Sequence, residues 1–312
     1  MEKQTEWLKM DDGMEIYTAC WPAKNAEPMA VVQIAHGMAE HIGRYDDFAR
    51  FLAGKGITVI GGDHRGHGHT GERAGLFGYF SDQNGFERVV EDLWIINQHI
   101  RKKFPGIPII LLGHSMGSFL ARRYIQKYPD TVIAAIFSGT GGNPGILGKA
   151  GLWLAKREMK KNGKKSPSPA MDRLIFGSYN KQVENVATRF DWISRDRQVV
   201  EAYVADPFCG FICTSGFFYD LLWGLLEIHK DANIRKTPAD FPILFLSGEK
   251  DPVGGYTRGV KQAIRQYEKN GMTNISCKFY PDGRHEMLNE INKNEVYEDV
   301  FRWIREVLDR SE

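Results

Sequence analysis

A serine flanked by two glycines, in the pentapeptide GHSMG at residues 113–117, is the pattern in this sequence that most directly indicates chemistry. The apolar run IPIILL precedes it and a segment with helical periodicity follows it, as the nucleophile-elbow motif G-x-S-x-G requires. Gly113 and Gly117 suit a turn that leaves room only for small residues. The pattern favours Ser115 as a nucleophile at the carboxyl edge of a sheet, over an ordinary glycine-flanked turn that happens to hold a serine.

A serine hydroxyl is a weak nucleophile unless a base removes its proton. Where a serine stands on such an elbow, an aspartate or glutamate and then a histidine follow it in the chain. Only His229 and His285 follow Ser115. His285 comes directly after the last apolar strand-like run, whereas His229 ends an apolar helical segment, where a surface or capping role fits better. His285 is therefore the predicted base.

The acid of this set is predicted in the segment ILFLSGEKDPV, directly after an apolar run. Asp251 stands where the carboxylate is expected, and Pro252 helps to fix the turn behind it. Glu249 is the alternative, although a solvated loop charge is the simpler interpretation of that residue. A carboxylate at Asp251 would hold the tautomer of His285 and stabilise the imidazolium that forms.

Two backbone N–H groups are expected to bind the oxyanion of the tetrahedral intermediate. One belongs to the residue after the nucleophile, Met116, and the other to a loop after an earlier strand. The run QIAHGM has that form, with a strand followed by His36, Gly37 and Met38, so the second N–H is assigned to Met38. Because both donors are backbone groups, the shape of the loop matters more than the methionine side chains.

Short apolar runs alternate with amphipathic helical segments from about residue 30 to 140, and again from 239 onwards. This alternation predicts βαβ units, and so an α/β fold with a mostly parallel central sheet flanked by helices. Residues 141–238 interrupt the alternation with mostly helical patterns and no convincing strand. We therefore predict a core of residues 1–140 and 239–312, with 141–238 as a helical cap insertion.

The composition is that of an ordinary globular protein, with 312 residues, 42% hydrophobic and 26% charged. A formal net charge of +2 is not the basic excess that nucleic-acid binders usually show, so no nucleic-acid partner is expected. The four cysteines form no C-x-x-C pair, and the first residues lack the apolar core of a signal peptide. These features predict reduced thiols and a cytoplasmic location, and they indicate no oligomeric state.

The segment GGDHRGHGHTG concentrates three of the nine histidines beside Asp63 and suggests a metal centre as a rival interpretation. The three are His64, His67 and His69. The glycines between them favour tight backbone turns instead of a rigid cage of ligands. We therefore expect these side chains and Arg65 to hydrogen-bond to neighbouring loops, including the Met38 loop, and we predict neither a metal nor a cofactor.

Several motifs together resemble the monoacylglycerol lipase and lysophospholipase branch of the α/β-hydrolase fold, and they extend over nearly the whole chain. They are HGMAEHIGRY, GDHRGHGHTG, GHSMG, FDWISRD, ADPFCGF and GRHEMLNE. The resemblance implies hydrolysis of monoacyl lipid esters by a serine, under a helical cap that covers an apolar acyl channel. In that family's pattern Ser115, Asp251 and His285 match the catalytic triad, and Met38 and Met116 match the oxyanion hole.

The same resemblance places Glu40 and Arg44 at polar positions near the alcohol end of the channel. Two residues depart from the animal lipases. Met38 stands where they have an alanine, and Gly254 stands where they have a reactive cysteine, three residues past the catalytic aspartate. Sensitivity to thiol reagents is therefore not expected of this chain.

Two segments of the insertion bear on the substrate. SGFFYDLLWGLLEIH is apolar on nearly all sides and is either a cap helix that lines the acyl channel or a plain core helix. We expect Phe211, Phe217 and Leu221 to contact the substrate. ILGKAGLWLAKREMKKNGKK ends in a basic run, so it suggests either transient contact with an anionic membrane surface or a solvated edge of the lid.

The sequence thus predicts a carboxylic ester hydrolase that acts on monoacylglycerols or lysophospholipids, which are small lipid esters, through an acyl-enzyme. A general carboxylesterase for short-chain or aromatic acyl groups is the alternative within the same chemistry. A non-catalytic binder on this fold is a third hypothesis, which is disfavoured because all three triad candidates are present in order. A metallohydrolase built on the histidine-rich segment is the fourth.

Overall fold

The computed structural model describes residues 2–24 and 27–310, and within them eight strands form one central sheet. The strands are β1 (Gln4–Lys9), β2 (Glu15–Trp21), β3 (Ala30–Ala35), β4 (Ile57–Gly62), β5 (Ile109–His114), β6 (Ala134–Ser138), β7 (Ile243–Gly248) and β8 (Ile275–Tyr280). Their order across the sheet is β1-β2-β4-β3-β5-β6-β7-β8. β3 to β8 run parallel to one another, and β1 and β2 join antiparallel at one edge.

Helices cover both faces of the sheet and also form the insertion between β6 and β7. They are α1 (Asp46–Gly54), α2 (Gly68–Ala74), α3 (Gly85–Lys103), α4 (Met116–Lys127), α5 (Gly145–Asn162), α6 (Pro169–Phe176), α7 (Arg197–Ala205), α8 (Ser215–Ile228), α9 (Asp231–Ile234), α10 (Arg258–Lys269) and α11 (Lys293–Asp309). One face packs on α1 and α11, through side chains such as Phe48 and Val300. The other packs on α3, α4 and α10, through Phe86, Leu120 and Ala263. The predicted α/β fold is confirmed.

The central strands have nearly continuous apolar sequences, whereas the edge strand β1 does not. Every residue of β3, β4, β5, β6 and β7 is buried, and strands buried on both faces have near-continuous apolar runs. β1 is an edge strand and is almost wholly exposed, so it contains no such run. The sequence analysis therefore missed β1. It also missed β2, which is mostly buried but whose sequence EIYTACW is not a continuous apolar run. The two strands pair from Gln4–Cys20 to Lys9–Glu15.

The insertion between β6 and β7 contains α5 to α9. Within the described residues it forms no strand, and a single bridge joins Pro167 to Thr214. α8 packs against α5 inside the insertion and against α3 and α4 of the core, which its mostly apolar surface allows. In the described part of the chain, no helix is long and apolar enough to cross a bilayer. The division into a core and a cap at residues 141 and 238 stays a prediction.

The sheet decides where the predicted site residues lie. Parallel strands all end at the same edge of a sheet, so the loops after β3, β5, β7 and β8 lie along one edge. These loops carry Met38, Ser115, Asp251 and His285 respectively. The fold thereby gathers segments that are distant in the chain.

Candidate active site

Ser115 lies between β5 and α4 in a backbone conformation that serine rarely adopts, with φ +52° and ψ −120°. Its N–H donates to the carbonyl oxygen of Ser138 on β6 at 2.8 Å, which helps to hold the turn. A Cβ atom on Gly113 would overlap the backbone of Gly117, and one on Gly117 would overlap the carbonyl group of Ala35. Both glycines are therefore required by the close approach of neighbouring backbone.

His285 and Asp251 form a buried hydrogen-bonded pair, with Nδ1 of His285 3.0 Å from Oδ1 of Asp251. Because an ionised carboxylate only accepts, Nδ1 carries the proton and Nε2 is left as the basic nitrogen. Burial alone would lower the pKa of His285, but Asp251 and two nearby glutamates outweigh burial and raise it above its usual value. Ser115 and His285 line the same cavity.

The alternative residues from the sequence lie in other surroundings. His229 follows the last residue of α8, as a capping role requires, but it is buried, so a surface role is wrong. Its Nδ1 lies 2.7 Å from Oε1 of Gln266 and its ring faces Arg122. Burial lowers the pKa of His229 to about 3, so the ring is neutral. Glu249 is exposed in the loop after β7.

A hydrogen-bonded histidine sets the direction of the peptide group before Met38. The N–H of His64 donates to Nε2 of His36 at 2.9 Å, so the ring proton of His36 is on Nδ1, which donates to the carbonyl oxygen of Gly37 at 2.8 Å. In a trans peptide the Met38 N–H points away from that carbonyl. The Met116 N–H is the first of α4 and has no partner within the helix. Met38 and Met116 both line the cavity.

Three charged side chains lie beside this turn. Arg44 donates to Oε2 of Glu40 at 2.8 Å and, through two nitrogens, to both oxygens of Glu286 at 2.6 and 2.7 Å. Oε1 of Glu40 accepts from the Gly37 N–H at 2.5 Å and from the Tyr45 hydroxyl at 2.9 Å. Burial raises the pKa of Glu40. Burial acts in the same direction on Glu286, but the Arg44 guanidinium outweighs it and lowers the pKa of Glu286.

The cavity has a volume of about 600 Å³ and a mostly apolar lining. Glu40 and Glu286 line it beside the turn after β3, which carries Gly37 and Met38. The apolar lining comes largely from the insertion, with Phe119 of α4 and with Ile175, Phe176, Phe211, Leu221, Leu222 and Leu225. The insertion also contributes four polar side chains, Asp172, Arg173, Asn180 and Arg189. Such a combination suits a ligand with an apolar chain and a polar head.

Two of the residues predicted to bind substrate do not line this cavity. Arg44 lies outside the lining, because its guanidinium is engaged with Glu40 and Glu286. Phe217 is fully buried, with its ring centroid 4.6 Å from that of Phe80. α8 is packed on most sides, so its apolar residues contact the core as well as the cavity. Phe211 and Leu221 do line the cavity.

Sequence reasoning missed three further residues of the cavity. Glu286 directly follows the predicted base in the motif GRHEMLNE. Trp192 lies in the motif FDWISRD, and its ring centroid is 5.0 Å from that of His285. Tyr203 belongs to α7 and donates its hydroxyl group to the carbonyl oxygen of Ala39 at 2.8 Å. The first two lie in motifs that the resemblance includes, whereas Tyr203 lies in an amphipathic helix with no distinguishing pattern.

The histidine-rich segment after β4 supports neighbouring loops. Besides His64, which binds His36, Asp63 accepts the N–H of Ile42 at 2.8 Å and that of His69 at 2.8 Å. Arg65 binds the carboxylates of Asp12 and Asp92. Burial lowers the pKa of His64 to about 3, so its ring is neutral. Of the three histidine side chains, that of His64 reaches the Met38 loop as expected, with Nε2 3.2 Å from the carbonyl oxygen of His36. The expectation is wrong for His67 and His69, whose Nδ1 atoms lie beside the Arg65 carbonyl oxygen and the Glu72 side chain.

Among residues 2–24 and 27–310, one group of three side chains has ligand atoms close enough to share a metal ion, and it lies outside the histidine-rich segment. It comprises His41, Asp206 and Cys209, whose ligand atoms lie within 4.8 Å of one another. Nδ1 of His41 accepts from the Gly43 N–H, and Nε2 lies 2.9 Å from Asp206. Burial raises the pKa of the Cys209 thiol well above its usual value. These contacts account for the group as a link between core and insertion, and we propose no metal there.

Comparison with known proteins connects these features to one family. The family model described as serine aminopeptidase, S33, matches residues 26–292. The monoacylglycerol lipase of Mycolicibacterium smegmatis is 30% identical over 295 residues, which cover 94% of this chain and 93% of that protein. The monoglyceride lipase of Homo sapiens is 25% identical over 306 residues, which cover 94% of this chain and 88% of that protein.

A solved structure shows the same architecture. A highly thermostable carboxyl esterase from Bacillus coagulans, in complex with glycerol, has a TM-score of 0.90 with this chain at 26% identity, and the match covers 99% of each chain. The resemblance inferred from the motifs is confirmed.

Proposed function

The chain belongs to the α/β-hydrolase family described as serine aminopeptidase, S33, and from this premise we propose that it cleaves carboxylic esters of monoacyl lipids with a serine nucleophile. One observation carries the proposal. A single cavity is lined by Ser115, on its left-handed turn, and by His285, whose Nδ1 is bonded to Asp251. The similar proteins named monoacylglycerol or monoglyceride lipase support an ester as the bond that is cleaved.

In the proposed acylation step, Nε2 of His285 takes the proton of the Ser115 hydroxyl while Oγ attacks the ester carbonyl carbon. Asp251 holds the ring of His285 and stabilises the imidazolium. The carbonyl oxygen becomes an oxyanion, which the N–H groups of Met38 and Met116 bind, each contributing about 3 kcal/mol. When the intermediate collapses, the ester C–O bond breaks and His285 gives the proton to the leaving alcohol.

Water completes the proposed cycle. His285 removes a proton from a water molecule, whose oxygen attacks the acyl carbon of the acyl-enzyme. The second tetrahedral intermediate forms its oxyanion at the same two N–H groups. Its collapse breaks the bond to Ser115 Oγ, returns the proton to that oxygen and releases the carboxylic acid.

The cavity supports a monoacyl lipid as the substrate. Its apolar lining, which includes Phe211 and Leu221, suits the acyl chain. Glu40 and Glu286 offer oxygen acceptors to the hydroxyl groups of a polyol alcohol such as glycerol. Monoacylglycerol is therefore the favoured substrate class, and lysophospholipid is the second member of the same proposal.

A general carboxylesterase is the second candidate. The observation that favours it is the close similarity in fold to a carboxyl esterase, with a TM-score of 0.90. The two candidates share the acyl-enzyme chemistry and differ in the acyl chain that gives the highest kcat/KM.

Two further points stay predictions. We propose a cytoplasmic location, and transient contact of the insertion with a lipid surface. The exposed apolar side chains of α5 support the second point, since Leu147 is 84% and Trp153 59% exposed.

Ser115→Ala tests the proposed function. We expect it to remove essentially all ester turnover, by about 10⁶-fold in kcat, because no other group supplies the nucleophile. A fluorophosphonate probe is expected to label the parent protein and not the variant. Ser276→Ala, on β8 and outside the cavity, is the control and is expected to keep both activity and labelling. Ester turnover that survives Ser115→Ala would overturn the site assignment.

A substrate panel distinguishes the two candidates. Monoacylglycerols, lysophospholipids and p-nitrophenyl esters of two to sixteen carbons cover the classes at issue. We expect kcat/KM to rise with chain length as more apolar surface is buried, at roughly 25 cal/mol per Å². A maximum at two to four carbons without turnover of monoacylglycerol would favour the general esterase.

A further inference from the structure

The insertion contacts the turn after β3, which carries Met38, through two groups that donate hydrogen bonds to the same backbone oxygen. Tyr203, on α7, donates its hydroxyl group to the carbonyl oxygen of Ala39 at 2.8 Å. The N–H of Gly210, in the loop that follows α7, donates to the same oxygen at 2.9 Å. Ala39 directly follows Met38, the proposed oxyanion donor. The turn after β3 is therefore held partly by the insertion.

Ala39 depends on this support because its backbone is strained. Its φ of +51° lies in the left-handed region, which residues other than glycine rarely adopt, and the residue is buried. The core holds the turn at other points, through the bonds of Glu40 and His36 to Gly37. The carbonyl of Ala39 itself is held by groups of the insertion.

The surroundings of Tyr203 make its hydroxyl group a dedicated donor. Its ring lies under the Arg44 guanidinium at 4.7 Å and beside the ring of Phe190 at 4.9 Å, and it lines the cavity. Burial raises the pKa of Tyr203 well above its usual value, so the hydroxyl group keeps its proton. A phenylalanine ring would keep these packing contacts and lose only the hydrogen bond.

We propose that Tyr203 is a positioning residue for the oxyanion hole. Through this residue's hydrogen bond to Ala39, the placement of the insertion on the core controls the direction of the Met38 N–H. When α7 and its following loop lie where the structure shows them, the Ala39 carbonyl has both donors and the turn keeps its left-handed residue. When they move away, that carbonyl loses both donors and the turn relaxes. The oxyanion hole is then complete only when the insertion is packed on the core in this way. This inference rests on the proposed serine-hydrolase function.

Tyr203→Phe tests the proposal with monoacylglycerol as substrate. We expect kcat to fall about three- to tenfold, the range for the loss of one hydrogen bond, while KM stays within about twofold. Two inhibitors separate positioning from a general loss of structure. An alkyl trifluoromethyl ketone forms a serine adduct that carries an oxyanion, and we expect its affinity to fall by the same factor as kcat/KM. An alkyl alcohol of equal chain length forms no adduct, and its affinity is expected to stay unchanged.

Tyr124→Phe is the matched control. The Tyr124 hydroxyl is bonded to Thr131 at 2.6 Å, in the second half of α4 and away from the cavity. Its loss is expected to lower the stability to urea by an amount similar to that of Tyr203→Phe, with kcat and the affinity for the ketone unchanged.

The outcomes separate this inference from the proposed function. If Tyr203→Phe keeps the parental kcat and ketone affinity while Ser115→Ala is inactive, the inference fails and the proposed function stands. If Ser115→Ala remains active, the proposed function fails and the inference fails with it. Should Tyr203→Phe not fold, Tyr203→Leu is measured with the same two inhibitors. Equal weakening of the ketone and the alcohol overturns the proposal in either variant.

Discussion

The edge of the sheet and the insertion contribute to the cavity in different ways. At the sheet edge, Ser115, Asp251 and His285 each follow a strand, and the backbone places them. Asp251 and His285 are buried, and the turn at Ser115 tolerates no larger neighbour than glycine. A displacement of any of these groups would break a hydrogen bond or cause an overlap with the backbone. The atoms proposed to react are thus held by buried hydrogen bonds and close backbone packing.

The insertion contributes mainly side chains of helices that pack on one another. Its inner face lines the cavity with residues such as Phe176 and Leu221, while its outer face leaves Leu147 and Trp153 exposed. Apolar side chains on such a surface are replaceable by others of similar volume at modest cost. Under the proposed function, the sheet edge supplies the groups that react, and the insertion mainly selects the acyl chain while it also supports the turn that carries Met38.

Asp251→Asn tests the contribution of the sheet edge and has the largest expected effect. An asparagine favours the wrong tautomer of His285, so we expect kcat to fall by about 10⁴-fold, for short and long esters alike. Steady-state kinetics with p-nitrophenyl butyrate and with a monoacylglycerol measure it. Glu249→Gln, in the same loop but exposed, is the control and is expected to stay within about twofold. A loss confined to long esters would contradict the division between the two regions.

Leu221→Trp tests the contribution of the insertion to chain-length selectivity, and its expected effect is smaller. The larger ring occupies part of the cavity, so we expect kcat/KM for the longest accepted esters to fall about tenfold, the loss from burying two fewer methylene groups. Turnover of p-nitrophenyl acetate is expected to stay nearly unchanged. Leu174→Trp, on α6 and 58% exposed, is the control. An equal loss for acetate and for long esters would mean that the insertion also positions the reacting groups through this residue.

Glu286→Gln has the smallest expected effect and tests the electrostatics at the sheet edge. In the proposed mechanism His285 acts as a base when neutral, so we expect kcat/KM to fall as the pH drops through its pKa, which lies above its usual value because of Asp251 and the nearby carboxylates. Removing the charge of Glu286 lowers that pKa, and we expect the acidic limb of the profile to move to lower pH by less than about one unit. The pH dependence of kcat/KM for p-nitrophenyl butyrate measures it, with Glu306→Gln as an exposed control. A shift to higher pH would be the contrary result.

Local patterns in the sequence predicted the central part of this fold. The runs that became β3 to β7 are apolar because every residue of these strands is buried, and the glycines of GHSMG mark a turn that leaves no space for a side chain. The position of His285, directly after the last strand-like run, then favoured it over His229. The exposed edge strand β1 carries no such pattern, and the mostly buried β2 mixes polar with apolar residues; both were missed.

These patterns could not predict which side chains of a helical segment line the cavity, because that depends on how the segment is oriented in the fold. Phe217 and Leu221 stand in the same apolar segment, yet Leu221 lines the cavity and Phe217 packs on Phe80. Arg44 proved to be engaged with Glu40 and Glu286 and lies outside the lining of the cavity. No periodicity distinguishes these cases, because the neighbours come from other parts of the chain.

Local patterns were enough to predict the alternation of strands and helices, the tight turn at Ser115 and the triad candidates, each of which directly follows a strand-like run. The folded structure was needed to show that Glu286 joins Arg44 and Glu40, and that Tyr203 reaches the carbonyl of Ala39. These contacts join segments that are far apart in sequence. The contact of Glu286 depends on how loops meet at the edge of the sheet, and that of Tyr203 on how the insertion packs on the sheet. Both are set by the shapes of many side chains at once.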